Sequence, residues 1–345
     1  MEKRILMIGP LPPPYGGATI LFKRIIEHFE DRDIDFKVMD KWKADRNIFV
    51  KCFSGLKLLI KFIFNIHKFN CVIFFGAVKG TFLMGPVIAI FSNLFKKPFI
   101  LRVFGGRFHS EYDKLSKSKK QILNKTLLKN GLLLFETLET VDYFRRNIKN
   151  DNIKWHPNFR KINFKKGISK KCKKIIFLGA VKPSKGINVI LESADNLDKS
   201  VEIDVYGPLE EGIKKMNFKK NKNIHYRGIL DSDEIIKTLK KYDLLILPTF
   251  FIGEGYPGVI LEAYSVGIPV ITTEWRSIPD IVDEKSGILI PPKSSRALSK
   301  AINTLVKNPK LYKNKCLGAK EKAKDFSLKY WGDELLKNIN IIISE

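Results

Sequence analysis

The feature that most limits how this chain can fold is an alternation, run through twice. Short apolar runs ending in glycine or proline trade places with longer helical patterns. "KRILMIGP" (3–10) is the first such run. An apolar stretch this short, closed by turn residues, reads as a strand buried on both faces of a parallel sheet. A helical pattern follows through "LFKRIIEHFE". Then "DFKVMD" (35–40), "FNCVIFFG" (69–76), "PFILRVFGG" (98–106) and "GLLLFE" (131–136) read as strands, with helical stretches between them. "HPNFRKINFKKGISKKCKK" (156–174) is polar, basic and low in periodicity, and reads as a linker. The alternation then restarts with "KIIFLGA" (174–180), "VEIDVYG" (201–207), "NIHYRG" (223–228), "DLLILP" (243–248), "PVITT" (269–273) and "GILIPP" (287–292). "SLKYWGDELLKNINIIISE" (327–345) reads as one amphipathic helix. Alternating strands and helices build doubly wound parallel sheets. The expected architecture is therefore α/β, with two Rossmann-like domains facing a central cleft. They span residues 1–165 and 166–326, and the helix at 327–345 packs back on the first. A length of 345 residues suits two domains.

Open parallel sheets bind ligands beyond the carboxyl ends of their strands. The informative loops are those that follow strands. In "FLGAVKPSKG" (177–186), Gly179 lets the backbone turn and Gly186 opens a helix. Lys182 and Lys185 add charge beside that helix start, which suits a diphosphate. The plain alternative is an ordinary strand–turn–helix junction. In "GPLPPPYGGATI" (9–20) a proline run stiffens the loop, and Gly16 and Gly17 permit close backbone approach. The loop is not GxGxxG, so it carries no dinucleotide fingerprint.

"FFIGEGYPGVILEAY" (250–264) is the most specific stretch. It follows the strand "DLLILP". A helix should begin near Pro257 or Gly258, since proline suits a first turn. Glu254 then sits on the loop and Glu262 about one turn into the helix. The amides of Gly258, Val259 and Ile260 lie between the two carboxylates. Acceptor, donors, acceptor in a line match a ligand with hydroxyls at both ends and phosphate in the middle, a nucleotide sugar. The plain alternative is one capping and one surface glutamate.

Lys plus Arg number 62 and Asp plus Glu 36, a net charge of +26. Such a charge suggests a polyanionic partner, although a lysine-rich composition gives the same sum. The lysines are dispersed, and Arg-rich or aromatic-interleaved motifs are missing, which argues against nucleic acid. Cys52, Cys71, Cys172 and Cys316 form no CxxC and read as reduced thiols of a cytoplasmic chain. The five histidines have no metal-ligand spacing. No secretory signal is expected, because "ILMIG" runs straight into prolines. "FLMGPVIAIFSNLF" (82–95) is too short and broken to span a bilayer.

With these residues in place, the chain resembles the retaining glycosyltransferases of family 4, which have the GT-B fold. The resemblance rests on "EGYPGVILE", a Glu, seven residues and a second Glu, followed by "AYSVGIPVITTEWRSIPDIVDEKSGILIPP". "FLGAVKPSKG", "DVYGPL", "HYRGIL" and, more loosely, "GPLPPPYGG" extend it over most of the chain. The resemblance implies that Glu262 holds the ribose hydroxyls of the donor. It implies that Glu254 contacts the transferred sugar near its anomeric centre, and that Lys185 acts on the diphosphate with the amides of Gly258, Val259 and Ile260. Gly179, Lys182, Gly186 and Gly255 complete the implied donor set, and Gly16 and Gly17 approach donor and acceptor. Transfer would proceed with retention, from a nucleotide-sugar co-substrate, with no metal and no other cofactor.

Two departures stand out. Ala180 occupies a place where the family often has Arg, and Lys182 is the nearby substitute. Phe104-Gly105 stands where the family often has His-Gly, leaving Arg102, Arg107 and His109 as acceptor-side candidates among which the sequence does not choose.

Family members that act on lipid-linked sugars dock on the anionic inner leaflet through basic, apolar first-domain surfaces. The helical stretches at 50–69 and 114–130 have that composition, and lysines near such a surface are worth about 1 kcal/mol each. The resemblance thus implies a polyprenyl-diphosphate-linked saccharide acceptor in bacterial surface polysaccharide synthesis (O-antigen, capsule or exopolysaccharide). The enzyme would be cytoplasmic and peripheral on the inner membrane face. Against this, 50–69 also reads as a buried crossover helix. Two other functions compete. A sugar-nucleotide epimerase of the same fold wants further carboxylates and histidines in the cleft. A nucleic-acid-binding protein has no use for the loop at 253–262.

Overall fold

The apolar runs of the first half assemble as one six-stranded parallel sheet, and those of the second half as another. A computed structural model of the chain describes residues 4–13, 16–40, 48–164, 167–218 and 221–344, with the backbone alone at 48–54, 79, 216 and 217. The chain divides into two compact units: Met1–Asn158 together with Trp331–Glu345, and Phe159–Tyr330.

The first unit holds β1 (Ile5–Gly9), β2 (Phe36–Asp40), β3 (Cys71–Ala77), β4 (Phe99–Phe104), β5 (Leu132–Phe135) and β6 (Ile153–Trp155). Their order is β2-β1-β3-β4-β5-β6. The five expected strands are present. β6 was not anticipated, because three residues, "IKW", are too few to show a period. The pleat divides the apolar side chains between two faces. Leu6, Ile8, Val72, Phe74, Leu101, Val103, Leu133 and Phe135 share one core with residues of α2 (Ile48–Asn65), α3 (Val78–Leu94) and α5 (Lys117–Lys125). On the other face Phe75 packs against Phe22 of α1 (Gly17–Glu30), ring centroids 4.7 Å apart.

The terminal helix α12 (Leu328–Ser344) gives this unit its last element, through Trp331 against Trp155 and through a buried histidine. His28 Nδ1 lies 3.0 Å from Arg32 Nη1, which must donate, so Nε2 carries the hydrogen toward Asp333 3.1 Å away. Burial, then the Arg32 charge, lowers the His28 pKa. Gly332 makes room for the ring: a Cβ there would lie 2.5 Å from His28 Cδ2.

The second unit holds β7 (Lys174–Leu178), β8 (Glu202–Tyr206), β9 (Ile224–Gly228), β10 (Leu244–Leu247), β11 (Val270–Thr273) and β12 (Gly287–Ile290), in the order β12-β11-β10-β7-β8-β9. All six expected strands are there. β7 and β10 are neighbours from which the chain order runs outward in opposite directions, the switch point at which open α/β sheets bind ligands. α7 (Ile187–Ser193) follows β7, and α9 (Gly258–Val266) follows β10. α10 (Ser295–Lys307) and α11 (Pro309–Asp325) begin at Ser294 and Asn308, whose side chains accept the amides of Ala297 and Leu311.

The segment read as a linker is tied down at several points. Arg160 donates its amide to the Phe326 carbonyl at 2.9 Å and accepts from the Leu328 amide at 2.8 Å. The Asn163 amide donates to the Ser265 carbonyl at 2.8 Å. These partners lie about 100 residues or more away in sequence, so no local pattern announces them. Cys71, Cys172 and Cys316 are buried and form no disulfide; the side chain of Cys52 lies outside the described residues.

Candidate active site

Two glycines force the loop after β7 into place. Gly186, φ +87°, sits against the end of β10: a Cβ there would stand 2.7 Å from the Pro248 carbonyl carbon and closer still to its oxygen. Gly207, φ +141°, likewise has no room for a side chain beside the Gly179 carbonyl. The turn Pro183–Lys185 is thereby pressed on the segment after β10, where the Phe250 amide donates to the Ser184 carbonyl at 2.8 Å. This contact carries Lys185 to the glutamate loop. Its Nζ lies 2.6 Å from Glu254 Oε2 and 2.9 Å from Oε1, and Thr249 Oγ1 donates to Oε2 at 2.8 Å. Glu254 is only 6% exposed. Lys182 Nζ lies 4.7 Å and Lys185 Nζ 5.2 Å from the centroid of the Phe251 ring, so two ammonium groups share one aromatic ring. Lys182 also reaches Glu211 at 3.4 Å and Glu210 at 3.5 Å.

α9 begins at Gly258 with Pro257 ahead of it, as its sequence predicts. Gly255 is buried in the preceding loop, which Tyr256 anchors through a 2.9 Å bond to Asp280. The amides of Gly258 and Val259 lead the helix, while that of Ile260 donates to the Pro257 carbonyl at 3.0 Å. Glu262 follows in the second turn, 5% exposed, with Arg160 Nε 3.0 Å from its Oε1. Lys185, Glu254, Gly258, Val259 and Glu262 thus belong to two loops and one helix start at the switch point of one sheet. Among the described residues no group of three or more His, Cys, Asp and Glu side chains is placed to hold a metal ion.

The first-unit candidates do not converge in this way. Gly16 is the residue before α1; its amide donates to Thr19 Oγ1 at 2.9 Å, and among the described residues, chain neighbours aside, no atom lies within 4 Å of a Cβ at Gly16 or Gly17. Arg102 is fully buried: it donates to His156 Nδ1 at 3.0 Å, to the Pro157 carbonyl at 3.3 Å and to the Val103 carbonyl. Burial lowers its pKa to about 10, with Glu136 opposing. Such an environment makes Arg102 a fastener of the 156–158 segment. His156, accepting at Nδ1, points Nε2–H at the Trp331 carbonyl 3.2 Å away, and burial, then Arg102, holds its pKa well below 6.5. Arg107 pairs with Glu111. His109 lies 3.0 Å from Thr140 Oγ1 and 3.2 Å from Glu139.

Four further residues, which no sequence motif marks as part of a site, shape these places. Arg160 borders Glu262, Phe251 lies beside Lys182 and Lys185, and Thr249 holds Glu254. Glu136, at the end of β5, accepts the Gly105 amide at 2.6 Å, where Gly105 has φ +91°. Glu136 had a signal, a carboxylate closing the apolar run "GLLLF". Arg160 had none, because its partner is 102 residues away.

Residues 158–324 match the family model "Glycosyl transferases group 1". An uncharacterized glycosyltransferase of Methanocaldococcus jannaschii is 23% identical over 99% of this chain and 98% of its own length. The O-antigen chain mannosyltransferase C of Escherichia coli is 26% identical over 39% of this chain. Further partial relatives are named for colanic acid and teichuronic acid biosynthesis. The chain spans only about a third of the length of these partial relatives, 31% to 37%. Among solved structures, HepE of Anabaena in complex with UDP superimposes with a TM-score of 0.75 at 15% identity, covering 98% of this chain and 99% of HepE. That likeness establishes the fold as GT-B.

Proposed function

The chain being a glycosyltransferase, we propose that it moves a sugar, with retention, from a nucleotide-sugar donor to a lipid-linked saccharide of a bacterial surface polysaccharide. The observation that carries the donor reading is the pair Glu254 and Glu262 framing the start of α9, with Lys185 held on Glu254 at 2.6 Å. In this reading Glu262 accepts the ribose hydroxyls. The first amides of α9 and Lys185 take the diphosphate, where the helix N-terminus favours negative charge. Glu254 receives hydroxyls of the transferred sugar. Lys185 has three donors, so it can bind the diphosphate while staying on Glu254.

Charge grows on the diphosphate as the bond to the anomeric carbon breaks. A fixed ammonium and fixed amides stabilise that charge most in the transition state. The acceptor hydroxyl attacks from the face the diphosphate leaves, and its proton passes to a departing phosphate oxygen. That geometry retains the anomeric configuration and asks for no divalent ion. HepE binds UDP, which makes UDP-sugars the first donors to test.

The acceptor reading rests on the surface of the first unit. α2 exposes Leu56, Ile60 and Phe64, spaced four residues apart, beside Lys57 and Lys61. It is also a crossover helix that buries Phe62. α3 exposes Leu83, Ile90 and Leu94, and α5 exposes Ile122. A cavity of about 330 Å³ between α3 and α5 is lined by Phe82, Pro86, Leu115 and Lys119, among others. Apolar side chains with flanking lysines suit an anionic bilayer surface, and this supports the reading of a peripheral enzyme on the inner face of the membrane. No described helix is long and apolar enough to cross one.

The test is product stereochemistry. With the sugar donor that is consumed, proton NMR of the initial product should show the anomeric configuration of the donor. An inverted product would overturn the mechanism.

A further inference from the structure

Arg160 lies in the segment read as a linker, yet it is 4% exposed and its guanidinium is built into the donor side of the second unit. Its backbone is clamped on both sides by Phe326 and Leu328. Its Nη1 donates to the Phe159 carbonyl at 2.9 Å, and its Nε lies 3.0 Å from Glu262 Oε1. Gly258 leaves the space the guanidinium fills: a Cβ there would overlap Nη2 and stand 3.3 Å from Cζ. Three residues on, Asn163 is bound to the Ser265 carbonyl of α9, and Ser265 Oγ donates to the Glu262 carbonyl at 2.8 Å. The segment therefore runs along α9 and fixes Glu262 from side chain and backbone.

A carboxylate with one oxygen fixed by an arginine keeps its remaining lone pairs in set directions. We propose that Arg160 is a positioning residue that makes the donor site select for ribose, by aiming Glu262 at two vicinal hydroxyls. This rests on the ribose role of Glu262 given above. The burial of both partners (Arg160 4%, Glu262 5%) makes the alternative orientations of Glu262 costly. The Gly258 cradle is additional: it puts a helix-start glycine, which the phosphate reading also uses, in the service of the carboxylate. A site built to bond a hydroxyl rejects the analogue that lacks it far more strongly than an apolar site does.

The experiment compares UDP, GDP and ADP with their 2′-deoxy forms by calorimetric titration. Wild type should prefer the ribonucleotide by at least about tenfold. Arg160→Met should bring that ratio close to one and leave the deoxy form bound as before. Arg160→Lys should restore part of the ratio. If Arg160→Met keeps the full ratio, or loses both forms equally, Arg160 is only structural and the proposal is wrong. Should Arg160→Met fail to fold, Gly258→Ala displaces the guanidinium with its charge intact and should lower the ratio; an unchanged ratio there also overturns the proposal. Glu262→Ala separates the two claims. If it keeps the ratio, or if none of the three nucleotides binds wild type, the ribose reading itself fails. If it removes the ratio while the Arg160 variants keep it, only the role of Arg160 fails.

Discussion

Replacing Gly186 with alanine should damage both stability and turnover, and the size of each effect follows from the local geometry. Gly186 has φ +87°, a region where a side chain costs about 1–2 kcal/mol. The new Cβ would also stand 2.7 Å from the Pro248 carbonyl carbon, against about 3.5 Å for ordinary carbon–carbon contact. The shortfall is about 1 Å, and the opposing atoms are the backbone of the segment leaving β10, which yields little. Overpacking of this kind costs about 1–3 kcal/mol. The sum is roughly 2–5 kcal/mol, or a melting point lower by about 4–20 °C at about 2–4 °C per kcal/mol for a unit of this size. The turn that retreats is the one carrying Lys185, which now sits 2.6 Å from Glu254. A displacement of about 1 Å at a reacting centre can cost about a hundredfold in rate. Turnover at saturating donor, measured well below the melting point, should therefore fall about that far. A variant that melts and turns over like wild type would refute both the forced-glycine argument and the placement of Lys185.

Three further outcomes are expected. Glu254→Gln should spare nucleotide affinity and lower turnover by about 10–100-fold, because a charged bond to the sugar is worth about 1.5–3 kcal/mol; normal turnover with weak nucleotide binding would mean the two glutamates have exchanged roles. His28 and His156 both have folded pKa values below 6.5, so the unfolded chain takes up protons more readily than the folded one. Their contribution to stability is complete above about pH 6.5 and is lost as pH falls below it, at up to about 1.4 kcal/mol per pH unit for each. Urea midpoints taken from about pH 7.5 down to about pH 5.5 should show that decline, and a flat or rising profile would contradict the neutral-histidine assignment. Charge reversal at Lys57, Lys61 and Lys119 should release the protein from anionic vesicles at low salt without altering nucleotide affinity. Lys120 is a poorer choice than its neighbours, since it already lies 3.3 Å from Asp113 and over the Tyr112 ring. Wild type that ignores such vesicles would remove the membrane part of the proposal.

What could be read in the sequence was what local pattern encodes. Eleven of the twelve strands among the described residues announce themselves as bounded apolar runs, and the start of α9 is written in Pro257-Gly258. Three-residue β6 is below the length at which a period shows. The loop carrying Glu254 was legible because glycine, glutamate and proline are each informative at a strand-to-helix turn. Long-range pairing was not. Nothing near Arg160 points to Glu262, and nothing near Lys185 says that it lands on Glu254. Arg102 looks like a free cation in "RVFGGRFH", yet its strand position turns it into the interior, where His156 and two carbonyls take its donors. β4 is buried along its whole length, so either face of this strand takes its residue into the interior.

The central claim is that the start of α9, flanked by Glu254 and Glu262, is where the nucleotide binds. The most direct measurement is titration of UDP, GDP and ADP into wild type and Glu262→Ala, in the presence of chelator. The account expects one of the three to bind wild type without added metal. It expects Glu262→Ala to weaken that nucleotide by at least about tenfold, since each lost charged bond to a ribose hydroxyl costs about 1.5–3 kcal/mol. Equal affinity in the two proteins, or binding that appears only when a divalent ion is restored, would contradict it.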